Sequence, residues 1–226
     1  MLEEYKYKTE FHAHTSPAST CSRISPEKMV ETYIREKYTS VIITNHFMYD
    51  TAETDSKIKA YLDDYYHTKE LGEKEGLNIV LGAEIRFSEN VNDYLIYGIE
   101  DKDLFAINSL LDNGIDNFYR EYKNDKNIIL QAHPFRDGMS LANPKSVDGI
   151  EVFNMHPGHN SRIGLAAKYA REHNMLVSAG TDFHEFGREA MCSIMTRKPI
   201  LTSYDAAEVL KKRDFIIDIS GYKVIV

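Results

Sequence analysis

Two pairs of side chains that could bind a metal ion stand at alternate positions of the sequence. His12 and His14 flank an alanine, and Asp182 and His184 flank Phe183. Because alternate side chains of a β-strand point to the same face, each pair could offer two ligands to one cation. Taken alone, the first pair is better explained as polar residues on a solvated strand face, and the second is weak evidence for a metal site. The interpretation therefore depends on the other ligand types nearby.

Further ligand types follow short apolar segments of the chain. Glu84 comes directly after one such segment, where an unpaired carboxylate would be costly to bury. A position bridging two metal ions would remove that cost, and a salt bridge to Arg86 is the structural alternative. His46 and His133 also follow apolar segments, and Pro134 would end the strand that leads to His133.

Several side chains are candidates for contact with a substrate. Arg136 lies three residues after His133, and its guanidinium could bind a phosphoryl group through two hydrogen bonds. An ordinary surface arginine is the alternative, and Arg23 could share the same role. His156 and His159 follow a further predicted strand, where they could line the mouth of a site or lie in a loop. The loop is favoured for His159, and both interpretations stay open for His156.

The two cysteines suggest different roles. Cys21 lies in a loop rich in serine and threonine, residues 16–22. A thiolate there would be a good ligand for zinc or iron, and a small buried thiol is the alternative. Cys192 is interpreted as a core residue. His67 and His173 fall within or at the end of predicted helices and are interpreted as surface residues.

The segments that carry these residues alternate between strand and helix patterns. Helices are predicted from residue 26 onward and over about 58–76, 102–122, 162–173 and 204–212. Strands are predicted over 9–12, 41–44, 78–83, 94–97, 127–132, 149–153, 175–179 and 215–219. Ser25 would cap the first helix, with Pro26 at its first position. This alternation predicts an α/β fold in one domain over residues 1–226, built as a parallel sheet or a closed barrel. Polar residues at most strand ends favour the barrel, whose sites lie at the C-terminal ends of its strands.

Composition excludes several classes of protein. Of the 226 residues, 42% are apolar and 27% are charged, and the net charge is −8, which predicts a soluble globular protein. The acidic balance argues against coating of duplex nucleic acid, although bound divalent metals could still attract an anionic substrate. The sequence has no apolar run of membrane-spanning length and no apolar signal core in residues 1–6. With only two cysteines, a cytoplasmic location is expected.

Taken in order, five of these elements resemble the motifs of the PHP (polymerase and histidinol phosphatase) family. They are His12-Ala13-His14-Thr15, Thr44-Asn45-His46, Gly82-Ala83-Glu84, Ala132-His133-Pro134 and Gly180-Thr181-Asp182-Phe183-His184. The chain is similar to the stand-alone members that carry a cysteine in the first loop and a His-Pro-Phe-Arg element. The resemblance implies a distorted (β/α)7 barrel with a metal site at the C-terminal ends of the strands.

The resemblance also implies a centre of two or three divalent metal ions, with zinc, manganese and iron as the candidates. The first ion would be held by four side chains, namely His12, His14, Glu84 and Asp182. Glu84 would bridge to a second ion, which His133 would also hold. The third ion would be held by His46 and His184, with Cys21 as a candidate further ligand.

Two positions depart from the family pattern. Asn45 stands where the family often has an aspartate, so it can orient its neighbours but contributes no charge. Many members also have a histidine two residues after the glycine that ends the fourth strand, and this chain has Glu100 two residues after Gly98. Glu100 could replace that ligand as a carboxylate or could point away, which leaves the number of metal ions open.

The implied activity is hydrolysis of a phosphomonoester by a metal-activated water, with histidinol phosphate among the candidate substrates. The implied catalytic residues are Asp182, His184 and Arg136, and contacts to a small phosphorylated substrate would come from Arg23, Arg136 and His156. A nuclease or nucleotide phosphatase acting on short oligonucleotides or 3′,5′-bisphosphate nucleotides is the first alternative. A non-catalytic metal-binding module and a barrel amidohydrolase are the others. No duplex nucleic acid and no membrane are expected as partners.

Overall fold

The computed structural model describes residues 2–50, 52–187 and 189–225. A short 3-10 helix, Leu2–Glu4, precedes the first strand. The helices are α1 (Pro26–Arg35), α2 (Thr54–Glu75), α3 (Asp103–Leu110), α4 (Gly114–Tyr122), α5 (Ile163–Glu172) and α6 (Ser203–Lys212). The strands are β1 (Tyr7–Ala13), β2 (Ser40–Ile43), β3 (His46–Met48), β4 (Asn78–Leu81), β5 (Ala83–Arg86), β6 (Asp93–Tyr97), β7 (Ile128–Gln131), β8 (Gly149–Asn154), β9 (Leu176–Gly180), β10 (Cys192–Thr196), β11 (Ile216–Ile219) and β12 (Tyr222–Ile225).

These strands form two mixed sheets of six strands each. One sheet has the order β12-β11-β10-β1-β2-β4 and the other has the order β3-β5-β6-β7-β8-β9. Isolated backbone hydrogen bonds also link them, from Phe183 N to His12 O (3.3 Å) and from Glu84 N to Asn45 O (3.1 Å). The predicted α/β class is therefore confirmed. The strand pairing within residues 2–50, 52–187 and 189–225 gives two sheets and does not show the closed (β/α)7 barrel that was expected.

The sheets are mixed because three strands run against their neighbours. β6 is antiparallel to both β5 and β7, β10 is antiparallel to both β1 and β11, and β12 is antiparallel to β11. The C-terminal end of β6 therefore lies beside the N-terminal ends of β5 and β7, away from their C-terminal ends. Apolar patterns locate a strand but carry no information on its direction, so the sequence did not predict this reversal.

Some predicted elements are divided and others were missed. The strand predicted over 78–83 is two strands, β4 and β5, separated at Gly82, where an added Cβ would lie 2.9 Å from Ile42 Cγ2. The helix predicted over 102–122 is likewise two helices, α3 and α4. Strands β3, β10 and β12 were not predicted, and two of them, β3 and β12, have only three and four residues.

Alternate residues of the central strands pack on opposite sides of the sheets, so both faces are buried. Ile42, Val80 and Leu95 belong to an inner cluster that includes Leu210 of α6. Val41 and Ile79 belong to a second cluster beneath α1 and α2. This double burial explains why the strands read as continuous apolar runs.

The helix ends follow the signals seen in the sequence. Ser25 Oγ accepts a hydrogen bond from Lys28 N at the start of α1, and Gly76 ends α2 in the left-handed conformation with φ 78°. Met29 and Tyr33 form the buried face of α1, whereas Ile34 is 36% exposed. Among helices α1–α6, none combines the length and the apolar character needed to cross a lipid bilayer.

Candidate metal centre

The end of β1 is irregular at the residues that carry the first ligand pair. The register between β1 and β2 shifts between Glu10 and Ala13. Glu10 Oε1 accepts hydrogen bonds from Phe11 N (3.0 Å) and His12 N (2.9 Å), so a buried carboxylate satisfies the backbone groups that the irregularity leaves free. Gly180 of β9 then approaches closely, since a Cβ there would lie 2.5 Å from His12 Cβ.

His12 and His14 lie on the same side of this strand end, as their spacing predicts. Their ring centroids are 5.1 Å apart. Both Nε2 atoms lie 3.4 Å from Asp182 Oδ1. They also face Glu84, at 3.3 Å from Oε1 for His12 and 3.4 Å from Oε2 for His14.

Glu84, in β5, is the carboxylate on which four histidines converge. His46 Nδ1 lies 2.9 Å from its Oε2, and His133 Nε2 lies 3.1 Å from its Oε1, in addition to the contacts of His12 and His14. The predicted salt bridge between Glu84 and Arg86 is not formed, because Arg86 pairs with Asp93 at 2.7 Å. Glu84 is thus surrounded by imidazoles in the way that a bridging metal ligand would be.

Asp182 and His184 complete the cluster from the segment that follows β9. His184 Nδ1 lies 3.2 Å from Asp182 Oδ1, and His184 Nε2 lies 3.1 Å from Cys21 Sγ. His159 Nδ1 lies 3.5 Å from Asp182 Oδ2. The structure therefore brings the first-loop cysteine, the predicted ligands and one unassigned histidine together.

Two residues of the cluster have left-handed backbone conformations. The φ angle is 29° at His133 and 52° at Asp182, and neither residue is a glycine. Such conformations cost roughly 1–3 kcal/mol each and persist only where the surroundings enforce them. At His133 the following Pro134 restricts the backbone further. Strain at two neighbouring ligand-type residues points to a functional constraint on their positions.

The hydrogen bonds of the first histidine leave its Nε2 lone pair directed into the cluster. His12 Nδ1 lies 2.9 Å from Glu151 Oε1, a buried carboxylate that accepts the ring proton. Glu151 Oε2 accepts further hydrogen bonds from His133 N (3.1 Å) and Asn154 Nδ2 (2.9 Å). A carboxylate behind a histidine is the usual partner of a metal ligand, since it fixes the tautomer and raises the basicity of the ring.

A longer relay fixes the tautomer of His14. Asn45 Nδ2 donates to Asp64 Oδ2 (2.8 Å), and Asn45 Oδ1 accepts from the Ser19 hydroxyl (2.9 Å). Ser19 Oγ therefore accepts from His14 Nδ1, 3.2 Å away, and from His46 N, 2.9 Å away. His14 Nε2 is left without a proton and faces the cluster. The charge that Asn45 lacks is supplied by Asp64 on α2.

Several buried atoms of the cluster have no hydrogen-bond partner within the described residues. They are His12 Nε2, His14 Nε2, His46 Nδ1, His133 Nδ1, His159 Nδ1 and Glu84 Oε2. Buried polar atoms are normally satisfied, and ring nitrogens and carboxylate oxygens that converge in this way are the ligand types that a cation takes. Three overlapping groups have ligand atoms within 4.8 Å of one another, namely His14–His46–His184, His12–His14–Glu84 and His46–Glu84–Asp93. The residues present thus fit divalent cations.

The charges of the cluster shift the pKa values of its members in opposite directions. Burial opposes ionisation of Glu84, but the positive charges of His46 and His12 outweigh it and hold the pKa of Glu84 well below its usual range. Burial likewise opposes protonation of His46 and His184, yet neighbouring carboxylates and the Cys21 thiol raise both pKa values to about 10. For Cys21, burial is outweighed by hydrogen bonds to His184 and His46, which lower its pKa to about 6.

A cavity of about 420 Å³ opens over the cluster, and we call it the reaction cavity. Arg23, Arg86 and Arg136 all line it, together with His156 and other side chains. The Arg23 side chain is 82% exposed at the mouth and lies 3.9 Å from Glu185. Arg86 is held by Asp93, whereas no carboxylate among the described residues pairs with Arg136. The two predicted substrate-contacting arginines and His156 therefore face the same space.

Glu100 does not join the cluster, which corrects its interpretation as a candidate ligand. It follows the C-terminal end of β6. Because β6 is antiparallel to β5, this end lies away from the C-terminal end of β5. Its side chain is 49% exposed and pairs with Lys102 at 2.8 Å. Asp93, at the start of β6, instead lies within the group that contains His46 and Glu84. His67 and His173 are exposed, as expected.

Three residues of the centre were missed or assigned elsewhere from the sequence. Asp93 and Glu151 carried a signal, because each is a carboxylate in a strand buried on both faces. Such a carboxylate needs a partner of opposite charge or a metal ion. His159, which was assigned to a loop, is in a loop but reaches Asp182, and its pKa is lowered to about 3 by burial first and by neighbouring cations.

Solved structures share this fold at low sequence identity. A two-domain protein from Bacteroides vulgatus that contains a predicted PHP-like metal-dependent phosphoesterase aligns with a TM-score of 0.67 and 18% identity, over 96% of this chain and 66% of that protein. A protein from Bifidobacterium adolescentis, likewise assigned as a metal-dependent phosphoesterase, aligns with a TM-score of 0.51 and 16% identity, over 80% of this chain and 89% of that one.

A third solved structure carries a different name. An amidohydrolase from Chromobacterium violaceum, with bound sulfate and no metal, aligns with a TM-score of 0.53 and 14% identity, over 79% of this chain and 88% of that one. No protein-family model matches the chain, and no curated protein matches it in sequence. The chain therefore shares the fold of a PHP-like protein, in agreement with the resemblance of its five motifs.

Proposed function

We propose that this chain is a metal-dependent phosphoesterase that hydrolyses a phosphomonoester. One observation carries the proposal: the buried Nε2 atoms of His12 and His14 and Glu84 Oε2 face one another without hydrogen-bond partners, beside a cavity lined by arginines. The phosphoesterase assignments of two solved structures with this fold support the same reaction class. The third of these structures was solved with bound sulfate, which is a tetrahedral oxyanion as phosphate is.

The proposed ligands fall into the sets that the resemblance implied, with one addition. His12, His14, Glu84 and Asp182 would hold one ion, and Glu84 with His133 a second, with Asp93 as a further candidate in place of Glu100. His46, His184 and Cys21 would hold a third. Bound divalent ions would polarise the phosphoryl oxygens and make hydroxide available from water near neutral pH.

The remaining side chains would orient the substrate and carry protons. Hydrolysis breaks the bond between phosphorus and the alcohol oxygen, joins the oxygen of water to phosphorus, and delivers a proton to the alcohol. Arg136 is free to bind two non-bridging oxygens, with Arg23 at the cavity mouth as a second contact. His156 lines the cavity and belongs to none of the proposed ligand sets, so it is the candidate carrier of the proton that the alcohol receives.

Phosphate release by manganese-reconstituted protein tests the proposal. The panel holds simple phosphomonoesters, histidinol phosphate, 3′,5′-bisphosphate nucleotides and short single-stranded oligonucleotides. Asp182→Asn serves as the blank, and Asp63→Asn, which alters an exposed carboxylate on α2 that pairs with Lys59, serves as the matched control. Release from monoesters that Asp182→Asn abolishes and Asp63→Asn retains is expected.

The other outcomes of the panel identify the alternatives. Release only from nucleotides or oligonucleotides would replace the phosphomonoesterase with a nucleotide phosphatase or nuclease. No release from any member, with metal bound, would overturn the proposal in favour of a non-catalytic module. Hydrolysis of amide substrates alone would favour an amidohydrolase.

A further inference from the structure

A second cavity opens beside the candidate metal centre, and we call it the side cavity. Its volume is about 420 Å³, and it shares Cys21, His46 and Met48 with the reaction cavity. The rest of its wall is mostly apolar and includes Pro17, Ala18, Phe47, Ala60 and Tyr61. Because the two cavities share a border, one molecule could occupy both.

The polar groups of the side cavity are largely used by the protein itself. The Tyr61 hydroxyl donates to Gly82 O at 2.7 Å. Lys57 Nζ donates to Met48 O, lies 3.4 Å from Asp50 Oδ2, and sits 4.5 Å from the centroid of the Phe47 ring. A ligand rich in hydroxyl groups would therefore give up hydrogen bonds to water and find few replacements.

The two cavities differ in charge as well as in polarity. Arg23, Arg86 and Arg136 all line the reaction cavity, whereas no arginine lines the side cavity within the described residues. The side cavity has Lys57, paired with Asp50, and shares His46, which faces Glu84. A phosphoryl group would be drawn to the arginines and the metal ligands, and an apolar group would gain by leaving water for the side cavity. The pair of cavities thus has a preferred orientation for a molecule with one charged and one apolar end.

We propose that the side cavity binds the leaving group of the ester, and that this group is a flat apolar ring, aryl or heteroaryl, in preference to a sugar or a polyol. This inference rests on the proposed phosphoesterase function and names its substrate class. Apolar cavities of roughly 150 Å³ accommodate benzene, so a volume of about 420 Å³ suits a fused bicyclic ring.

Non-hydrolysable phosphonates test the inference without depending on turnover. Calorimetry on the zinc-loaded protein compares naphthylmethylphosphonate with methylphosphonate. Burial of the naphthyl ring should make the first bind at least about tenfold more tightly. Ala60→Phe, which fills the side cavity from α2, should reduce that ratio to about one, and Ala60→Leu should reduce it by a smaller factor. Ala167→Phe makes the same change at an exposed position of α5 and should leave the ratio unchanged.

The outcomes separate this inference from the proposed function. Equal affinities of the wild-type protein for the two phosphonates would overturn the inference, as would a ratio that neither Ala60 variant changes. If the ratio behaves as expected but no phosphate ester is hydrolysed, the side cavity is a ligand site and the phosphoesterase proposal fails. If esters are hydrolysed and the ratio is near one, the phosphoesterase proposal stands and the inference about the side cavity fails.

Discussion

The candidate centre has two parts that differ in their access to solvent. The inner part consists of His12, Glu84, His133 and Asp182, none of which is more than 2% exposed. The outer part consists of Cys21, His46 and His184, and the two histidine side chains are 16% and 15% exposed. On the proposed ligand sets, the inner part would retain its ion, because buried charges without counter-ions are costly. The outer part would exchange its ion more readily and would meet the substrate.

The largest expected effect comes from the residue that touches both parts. Glu84→Gln removes the carboxylate that contacts His12, His14, His46 and His133, so both parts lose their shared charge. We expect metal affinity to fall by more than about 100-fold, because even the partners of metal ligands are worth roughly 10- to 100-fold. Elemental analysis after dialysis measures the bound metal, and a full complement of ions in this variant would contradict the proposed bridging role.

A smaller effect confined to the inner part is expected from Glu151. Glu151→Gln keeps an oxygen that can accept the proton of His12 Nδ1 but removes the charge that raises the basicity of the ring. Affinity for the inner ion should fall roughly 10- to 100-fold, while the outer ion is retained. Glu172→Gln, at an exposed glutamate of α5, is the control. Equal loss from both parts, seen in competition with a chelator, would show that the two parts are not independent.

The sequence could predict only the part of the centre that depends on local patterns. His12, His14, Glu84 and Asp182, which the structure brings together, were predicted as ligands because ligand types at strand ends follow from local patterns. Glu100 was considered as a ligand and Asp93 was not, because which end of β6 lies near the site depends on the direction of β6, which pairing with β5 and β7 determines. Strand direction is a long-range property, and the apolar pattern of a buried strand is the same in either direction.

The residues that support the ligands could not be predicted from the sequence, for a related reason. Glu151 reaches His12 across 139 positions of the chain, and Asp64 reaches Asn45 from a helix whose spacing indicated only burial. The fold class was predicted because alternation of strands and helices is local. The division into two sheets was not, because it depends on short strands such as β3 and on the antiparallel placement of β10.

The metal affinity of the outer part should depend strongly on pH. The carboxylates and Cys21 raise the pKa values of His46 and His184 to about 10 in the absence of metal, so both rings are protonated at pH 8. Metal binding must release those protons, so affinity should rise up to about tenfold per pH unit for each proton released, and level off above the raised pKa values.

Calorimetry in buffers of different ionisation enthalpy counts the released protons. His184→Asn should release about one proton fewer than the wild-type protein, since one titrating ring is removed. The same raised pKa values stabilise the metal-free fold. That contribution is complete below the ordinary histidine pKa and is lost as the pH rises through about 10. An affinity for metal that is constant from pH 7 to pH 9 would contradict the role of these two histidines as ligands.

Cys21 should influence which metal ion the outer part prefers. Its pKa is lowered to about 6 by His184 and His46 against the effect of burial, so the thiolate is available at neutral pH. Cys21→Ser should weaken zinc binding in the outer part by about tenfold, and manganese binding less, because thiolate favours softer ions. Cobalt substitution reports the bond directly, since a thiolate-to-cobalt absorption band should be present in the wild-type protein and absent from the variant.

The smallest expected effect concerns the relay that orients His14, the histidine that faces both parts. Asp64→Asn removes the charge that holds Asn45, so the ring of His14 loses part of its orientation and metal affinity should fall about threefold to tenfold. Asp63→Asn, at the neighbouring exposed carboxylate, should have no effect.

A double-mutant cycle decides whether Asp64 acts through the relay or through the stability of α2. Ser19→Ala breaks the same chain of hydrogen bonds one step closer to His14 Nδ1. If the two residues act in series, the double variant should bind metal no more weakly than Ser19→Ala alone. Additive losses in metal affinity would instead mean that Asp64 supports the fold of α2, because a helix-wide effect would persist when the relay is already broken.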